Sequence, residues 1–285
     1  MSTYNYGGLG ESGKEGKTEK NMKGNPLSGK SAFIIGGTGG IGKEIALLLA
    51  GSGVRITLHG GSSQERLAKT VNAIRDQGGE ADGFLSRIDG ADAVDRLFSE
   101  YSVRAARSAS ISRGERLIHA EPYVPDILIY AYGPFKRVVL NETSAADWLF
   151  LTQQNLSLPG YAVSRVLPSM MKRKWGRIVL FGGTNTDTVR GFLTTAAYAA
   201  AKTGLGVLAK SVAKTAGGAG VTCNVICPGL TDTDYADDAV RAYNRSKSPA
   251  GKALSPKMVA LTALYVLANR SINGAIIPVD EGAVV

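Results

Sequence analysis

Two side chains in this sequence are spaced for proton transfer. Tyr198-Ala-Ala-Ala-Lys202 puts a phenol and an ammonium four residues apart, on one face of a helix. A free tyrosine titrates near 10, too high for an effective base at neutral pH. A neighbouring ammonium favours the phenolate, and a fall of ~2 to 3 pKa units corresponds to roughly 3 to 4 kcal/mol. Such a pair can give a proton to a carbonyl oxygen or take one from an alcohol. Two other pairs share the spacing, Tyr132 with Lys136 and Tyr243 with Lys247. Pro134 breaks the first, which cannot share a regular helix. The second falls in a polar segment that reads as surface. Only Tyr198 follows a strand-ending loop and opens a long helix of small residues.

The second constellation is Gly36-Gly37-Thr38-Gly39-Gly40-Ile41-Gly42, directly after an apolar run and at the start of a helical pattern. A loop that lets backbone approach a pyrophosphate needs residues without a Cβ, and the helix N-terminus behind it offers unpaired N–H groups. A plain tight turn is the other reading of such a cluster. The spacing, Gly36-x3-Gly40-x-Gly42, is not G-x-G-x-x-G. An acid at the end of the second strand would bind the ribose 2′-hydroxyl of NAD, but Ile56 to Ser63 contains no carboxylate. A 2′-phosphate would meet no repulsion there and could be bonded by His59, Ser62 or Ser63, with Lys43 or Arg55 near. This favours NADP(H) over NAD(H).

Positioning these groups calls for alternating strands and helices. Strands are predicted at Ser31–Ile35, Arg55–His59, Gly83–Ile88, Asp126–Ala131, Arg177–Phe181, Val221–Cys227 and Ala275–Val279. Helices are predicted at Gly42–Leu49, Gln64–Gln77, Thr152–Lys172 and Tyr198–Ala216. Nearly continuous apolar strands imply a parallel sheet covered on both faces: an α/β, doubly wound, Rossmann-type fold of seven strands in a single domain, with ligands at the carboxyl ends of the strands. Residues 27–285 form that domain. Residues 1–26 carry too little apolar surface to offset their ordering entropy and are predicted to be a disordered tail.

Composition narrows the function. With 44% apolar residues the chain can bury a sizeable core, and no 18-residue apolar run or secretory h-region is present. Neither a membrane partner nor a nucleic-acid partner is expected. The +9 net charge is spread along the chain without a basic run or an RNA- or DNA-binding pattern. Two cysteines and two histidines exclude a disulfide framework and make a metal site improbable, which fits a reduced, cytoplasmic setting.

Taken in order, Gly36-x3-Gly40-Ile41-Gly42, Tyr198-x3-Lys202 and Pro228-Gly229-Leu230-Thr231-Asp232-Thr233 resemble the short-chain dehydrogenase/reductase family, over nearly all of Leu27 to Val285. The resemblance implies further roles. Asp89 would contact adenine, or else act only as a strand-end cap. Gly133 would permit close approach of the cofactor. Asn155 would hold the proton relay, or else be a buried amide bonded to backbone. Pro228, Gly229 and Leu230 would cover the nicotinamide, with Thr233 on its carboxamide. Val279-Asp280-Glu281-Gly282 looks like the family's C-terminal turn, which implies a homotetramer or homodimer.

The chain departs from the family pattern in two places. Tyr130-Ala131-Tyr132-Gly133 stands where Asn-Asn-Ala-Gly is usual, and Gly183 stands where a serine orients the substrate carbonyl. Thr184 is predicted to replace that serine, with Asn185 as the fallback. Val103 to Arg116, with four arginines and one acid, is predicted to be a flexible surface insertion. The resulting reading is an oxidoreductase moving a hydride between NADP(H) and a small-molecule carbonyl/alcohol substrate, including a carrier-bound 3-oxoacyl thioester. The 3-oxoacyl-acyl-carrier-protein reductases are the nearest-looking subgroup, although Ala219 replaces their carrier-binding arginine. The alternative is a nucleotide sensor or structural subunit on the same fold with little turnover.

Overall fold

The computed structural model describes residues 24–113, 122–234 and 236–283. Seven strands form one parallel sheet: β1 (Ser31–Ile35), β2 (Arg55–Gly60), β3 (Ala81–Leu85), β4 (Ile127–Tyr130), β5 (Gly176–Phe181), β6 (Val221–Pro228) and β7 (Ile276–Val279). Their order is β3-β2-β1-β4-β5-β6-β7. Helices α1 (Gly40–Gly51), α2 (Gln64–Arg75) and α8 (Pro256–Ala268) cover one face. Helices α3 (Ala91–Arg113), α5 (Leu158–Lys172) and α6 (Ala196–Ala216) cover the other. Helix α4 (Ala145–Thr152) leads into α5, and α7 (Asp238–Lys247) lies between β6 and α8.

Chain composition explains the layers. β4 (ILIY) and β6 (VTCNVICP) are buried along their whole length, as strands flanked by helices on both sides must be. Strand order reverses between β1 and β4, where Ile35 pairs with His59 on one side and Tyr130 on the other. The loops after β1 and β4 therefore diverge, and the crevice between them is where ligands of this architecture sit. Gly36, Ala131 and Gly182 all leave the sheet at this carboxyl edge.

Four sequence expectations need correction. The third strand spans Ala81–Leu85 rather than Gly83–Ile88, because Ile56 N donates to the Glu80 carbonyl at 2.9 Å and fixes the earlier register. Val103 to Arg113 is no loose insertion but the second half of α3, where Arg104 pairs with Asp82 at 2.9 Å and with Glu100 one turn back. The rest of that insertion, Gly114 to Arg116, lies outside the described residues. The tail ends earlier than expected: Asn25 donates to the Ser52 carbonyl at 3.3 Å, while residues 1–23 lie outside the described residues. The helix expected from Thr152 to Lys172 is interrupted by one π-helical turn, Gln153–Ser157. Pro159 has no N–H to offer the carbonyl of residue 155, so the α-ladder widens there.

Candidate active site

The glycine loop is built around backbone contacts. Gly36 takes φ +84°, and a Cβ there would lie 2.9 Å from Tyr132 N. Gly36 N and Gly37 N both donate to the His59 carbonyl, at 3.1 and 3.0 Å. A Cβ on Gly42 would stand 2.2 Å from the Gly36 carbonyl oxygen. Gly40 opens α1 at φ +50°, Ile41 is half-buried, and Thr38 packs against Gly60. No side chain caps α1, and its first turn holds no acid. Its leading N–H groups and partial positive charge are therefore left for an anion. Gly42→Ala is expected to lower Tm by several degrees and weaken NADP(H) binding about tenfold or more, because the obstacle is backbone and cannot swing away. Thermal melts and cofactor titration check this.

Several expected cofactor ligands are placed differently. His59 is 1% exposed, with Nε2 2.8 Å from the Ser86 carbonyl and its ring packed on Phe84. Burial lowers its pKa. A side chain enclosed this way shapes the loop through its carbonyl and does not reach a phosphate. Arg55 sits at the opposite end of β2 and donates to the Gly29 carbonyl at 3.2 Å. Ser63 caps α2 by accepting from Arg66 N at 3.2 Å, which leaves its proton free to donate, and Ser62 is exposed beside it. Asp89 stands four residues past the end of β3, largely exposed, and pairs with Arg96 at 3.3 Å. That points it at solvent and arginine instead of the strand end.

The proton-handling groups do converge. Tyr198 lies in the first turn of α6, half-buried, with its hydroxyl inward and its ring edge-on to Phe135 at 5.0 Å. Lys202, one turn on and 5% exposed, places Nζ 5.7 Å from the Tyr198 ring centre and donates to the Phe181 carbonyl at 2.9 Å. Asn155 occupies the π-helical turn. Its amide donates to the carbonyls of Pro134 (3.0 Å) and Leu151 (3.1 Å), while Oδ1 is a buried acceptor with no partner among the described residues. Gly133 lets these groups meet: a Cβ there would be 2.3 Å from Asn155 Oδ1 and 2.9 Å from Lys202 Nζ.

Electrostatics runs against the simple expectation. Burial raises the Tyr198 pKa above the ordinary phenol value, and the nearby Cys227 pushes it the same way. Burial also pulls Lys202 down to about 8. Desolvation dominates both shifts, since each charged form loses water on burial. The resting phenol is thus a neutral acid.

The loop after β5 carries the family's missing serine. Gly183 leaves a space into which Tyr198 leans, and a Cβ there would be 2.9 Å from the Tyr198 hydroxyl. The expectation that Thr184 takes over is corrected. Its hydroxyl donates to the Pro228 carbonyl at 3.3 Å, so its proton faces the next segment. Thr186, which sequence reasoning passed over, bonds Gly183 N at 2.8 Å and braces the loop against Cys227. Asn185 takes φ +61°, a left-handed turn that asparagine tolerates. The strand-ending Pro228-Gly229 continues into Leu230 to Thr233. That segment is anchored by Gly229 N to the Val279 carbonyl (2.8 Å) and by Leu254 N to the Leu230 carbonyl (3.0 Å), and half-buried Thr233 follows. Phe135 was also missed, because an exposed aromatic in a loop carries no periodic signal.

The residues present fit a dinucleotide: a Cβ-free cradle against Ala131–Tyr132, an uncapped helix N-terminus, and an acid and an amine beyond Gly133. Among the described residues no group of three or more His, Cys, Asp or Glu side chains is arranged to hold a metal ion. No helix among them is long and apolar enough to cross a membrane.

A family model described as enoyl-(acyl carrier protein) reductase matches residues 36–284. The 3-oxoacyl-[acyl-carrier-protein] reductase of Vibrio harveyi is 29% identical over 265 residues, covering 90% of this chain and 98% of that protein. The D-beta-hydroxybutyrate dehydrogenase of Cupriavidus necator is 27% identical over 277 residues, at the same coverage. A solved short-chain dehydrogenase/reductase from Serratia marcescens superposes with a TM-score of 0.74 at 26% identity, over 90% of this chain and 98% of that one. The fold also matches an angucycline C-6 ketoreductase solved with bound NADP, at a TM-score of 0.79 and 24% identity, over 91% of this chain and 97% of that one. The chain belongs to the short-chain dehydrogenase/reductase family and is an oxidoreductase of the carbonyl/alcohol couple that works with a nicotinamide cofactor.

Proposed function

We propose that the protein is an NADPH-dependent carbonyl reductase in which Tyr198 is the proton donor. The observation that carries this reading is the phenol held against Gly183 beside Lys202, with Asn155 Oδ1 and the same amine both closing on Gly133. The cofactor, when bound, supplies the hydride. Tyr198 gives its proton to the developing alkoxide, which stabilises charge where it forms. Lys202 anchors the ribose hydroxyls and, as an ammonium, supports the phenolate left behind. Asn155 Oδ1 accepts the next proton donor in line and so reconnects Tyr198 to solvent. With Gly183 in place of serine and Thr184 bonded to Pro228, the carbonyl receives one side-chain donor fewer. Losing such a donor costs ~2 to 4 kcal/mol of transition-state stabilisation, which makes slow turnover part of the proposal.

NADP(H) is preferred over NAD(H) because Gly60-Gly61-Ser62-Ser63 presents hydroxyls and no carboxylate to a 2′-phosphate. The relatives' names put 3-oxoacyl thioesters first among substrates and small hydroxy acids second. A homotetramer or homodimer is supported by exposed apolar side chains on α4 (Leu149, Phe150), α6 (Val207) and α8 (Met258, Leu261, Tyr265). Sedimentation of a Leu149→Lys variant as a smaller species would test it. Two free, buried cysteines suit a reducing cytoplasm. The deciding experiment is oxidation of NADPH and NADH against a panel of ketones and 3-oxoacyl thioesters. Turnover with NADPH at least ~10-fold more efficient than with NADH is expected, and NADPH binding without turnover of any carbonyl would overturn the reading.

Lys202 gives the site a pH signature. Its folded pKa, near 8, lies below the unfolded value of 10.5. Below pH 8 both states carry the proton and the buried charge is a full cost. Between pH 8 and 10.5 only the unfolded chain stays protonated, so the Lys202 contribution to stability rises with pH, by about 3 kcal/mol in all. Chemical denaturation across pH 7 to 10.5 should show this rise in the wild type relative to Lys202→Met, in which that contribution is absent.

A further inference from the structure

The second Tyr-x3-Lys pair, set aside above as surface, does not stand alone. Tyr243 and Lys247 lie on α7, with Lys247 Nζ 5.8 Å from the Tyr243 ring centre. Arg137, from the loop after β4, comes to the same ring at 5.7 Å. Among the described residues, no carboxylate pairs with either cation, whereas three other basic side chains do find one. Lys136 holds Asp147, Arg190 holds Asp187, and Arg241 holds Asp232 and Asp238. Lys247 suits the C-terminal end of its helix. Arg137 has no such reason to join another cation on one half-exposed ring. With both cations held on one ring, at 5.7 and 5.8 Å from its centre, an anion that reaches them gains two charge-assisted contacts.

The location matters as much as the charge. Arg137 is two residues from Phe135, whose ring touches Tyr198, and two residues of chain span about 7 Å. The loop is pinned by Val138 N donating to the Thr194 carbonyl at 2.7 Å, and exposed Leu193 is the next residue back along the chain. From Tyr198 outward the surface therefore runs phenol, apolar ring, then paired cations.

We propose that Arg137 and Lys247, seated on Tyr243, bind a carboxylate or phosphate carried by the substrate beyond an apolar spacer from its reacting carbonyl. This rests on the reductase reading of Tyr198 and names the substrate class for that site: an anionic, amphipathic ketone.

The test compares 5-oxohexanoate, 7-oxooctanoate and 9-oxodecanoate with their methyl esters, in the wild type and in an R137Q/K247Q double variant. Neither residue belongs to the proton-transfer machinery, so ester turnover should be unchanged in the variant. The expected result is a wild-type preference for the best acid over its ester of about tenfold or more, falling to within ~3-fold of unity in the variant. Equal preference in both proteins, or none in the wild type, overturns the proposal. A second measurement needs no turnover: calorimetric binding of decanoate and of decyl phosphate to the protein–NADP+ complex. Weakening of about fivefold or more in the variant is expected, with the tighter ligand identifying the anion, and equal affinities overturn the assignment. Anion binding that depends on these residues without turnover of any ketone would sink the reductase reading while leaving this site standing. Ester turnover without an acid preference would do the reverse.

Discussion

Tyr198→Phe is expected to lower kcat by ~10³-fold or more while leaving the Kd for NADPH within about threefold of wild type. The substitution removes one oxygen and keeps the ring that packs edge-on against Phe135. The local fold is therefore preserved while the hydroxyl held against Gly183, beside Lys202, is lost. The proposed cofactor contacts lie elsewhere, in the Gly36 to Gly42 loop and on Lys202, so binding and chemistry are expected to separate. Single-turnover NADPH oxidation beside fluorescence titration of the cofactor makes the measurement. If the variant retains wild-type kcat, the phenol is not the acid, and the low-turnover alternative weighed from the sequence gains ground.

Gly133→Ala should be nearly as damaging, for a steric reason. The new methyl would lie 2.3 Å from Asn155 Oδ1 and 2.9 Å from Lys202 Nζ, both on buried, hydrogen-bonded side chains. Moving Asn155 breaks its bonds to Pro134 and Leu151, and moving Lys202 breaks its bond to Phe181. Each broken buried bond costs ~1 to 3 kcal/mol. A fall in kcat/KM of ~100-fold or more is expected, with weaker cofactor binding and a lower Tm. This joint loss separates Gly133→Ala from Tyr198→Phe, which should cost turnover alone. Unchanged kinetics would mean that the close approach at Gly133 has no catalytic role.

Much of the scaffold was legible because it rests on local rules. Short continuous apolar runs such as ILIY and SAFII, bounded by turn residues, read as strands buried on both faces, and all seven predicted strands appear in the sheet. The Gly36 to Gly42 spacing identified the loop because positive φ and absent Cβ atoms are properties of residue type. Tyr198 and Lys202 were found together because four residues is one helical turn. Limits on this reading appeared wherever a side chain's partner lay far along the chain. His59 looked like a phosphate donor until β3 brought Ser86 to its ring. Asp89, expected at the adenine, stands four residues past β3, whose register is fixed at Ile56 and Glu80, and pairs with Arg96, a partner the sequence does not announce. Thr184 had the right hydroxyl in the right loop, but its direction was set by Pro228, 44 residues later.

Local rules along the chain specify the sheet, the glycine cradle and the pairing of Tyr198 with Lys202, since periodicity, φ preference and helical spacing act over a few residues. Packing between distant segments sets the direction of the Tyr198 and Lys202 pKa shifts and the direction in which nearby hydroxyls point. Burial of Tyr198 and Lys202 is a property of everything packed round them, and desolvation there reverses the order that charge attraction alone would set. It was also only in three dimensions that Arg137 met Tyr243 and Lys247, because a loop after the fourth strand and a helix after the sixth have no sequence relation that would announce the contact.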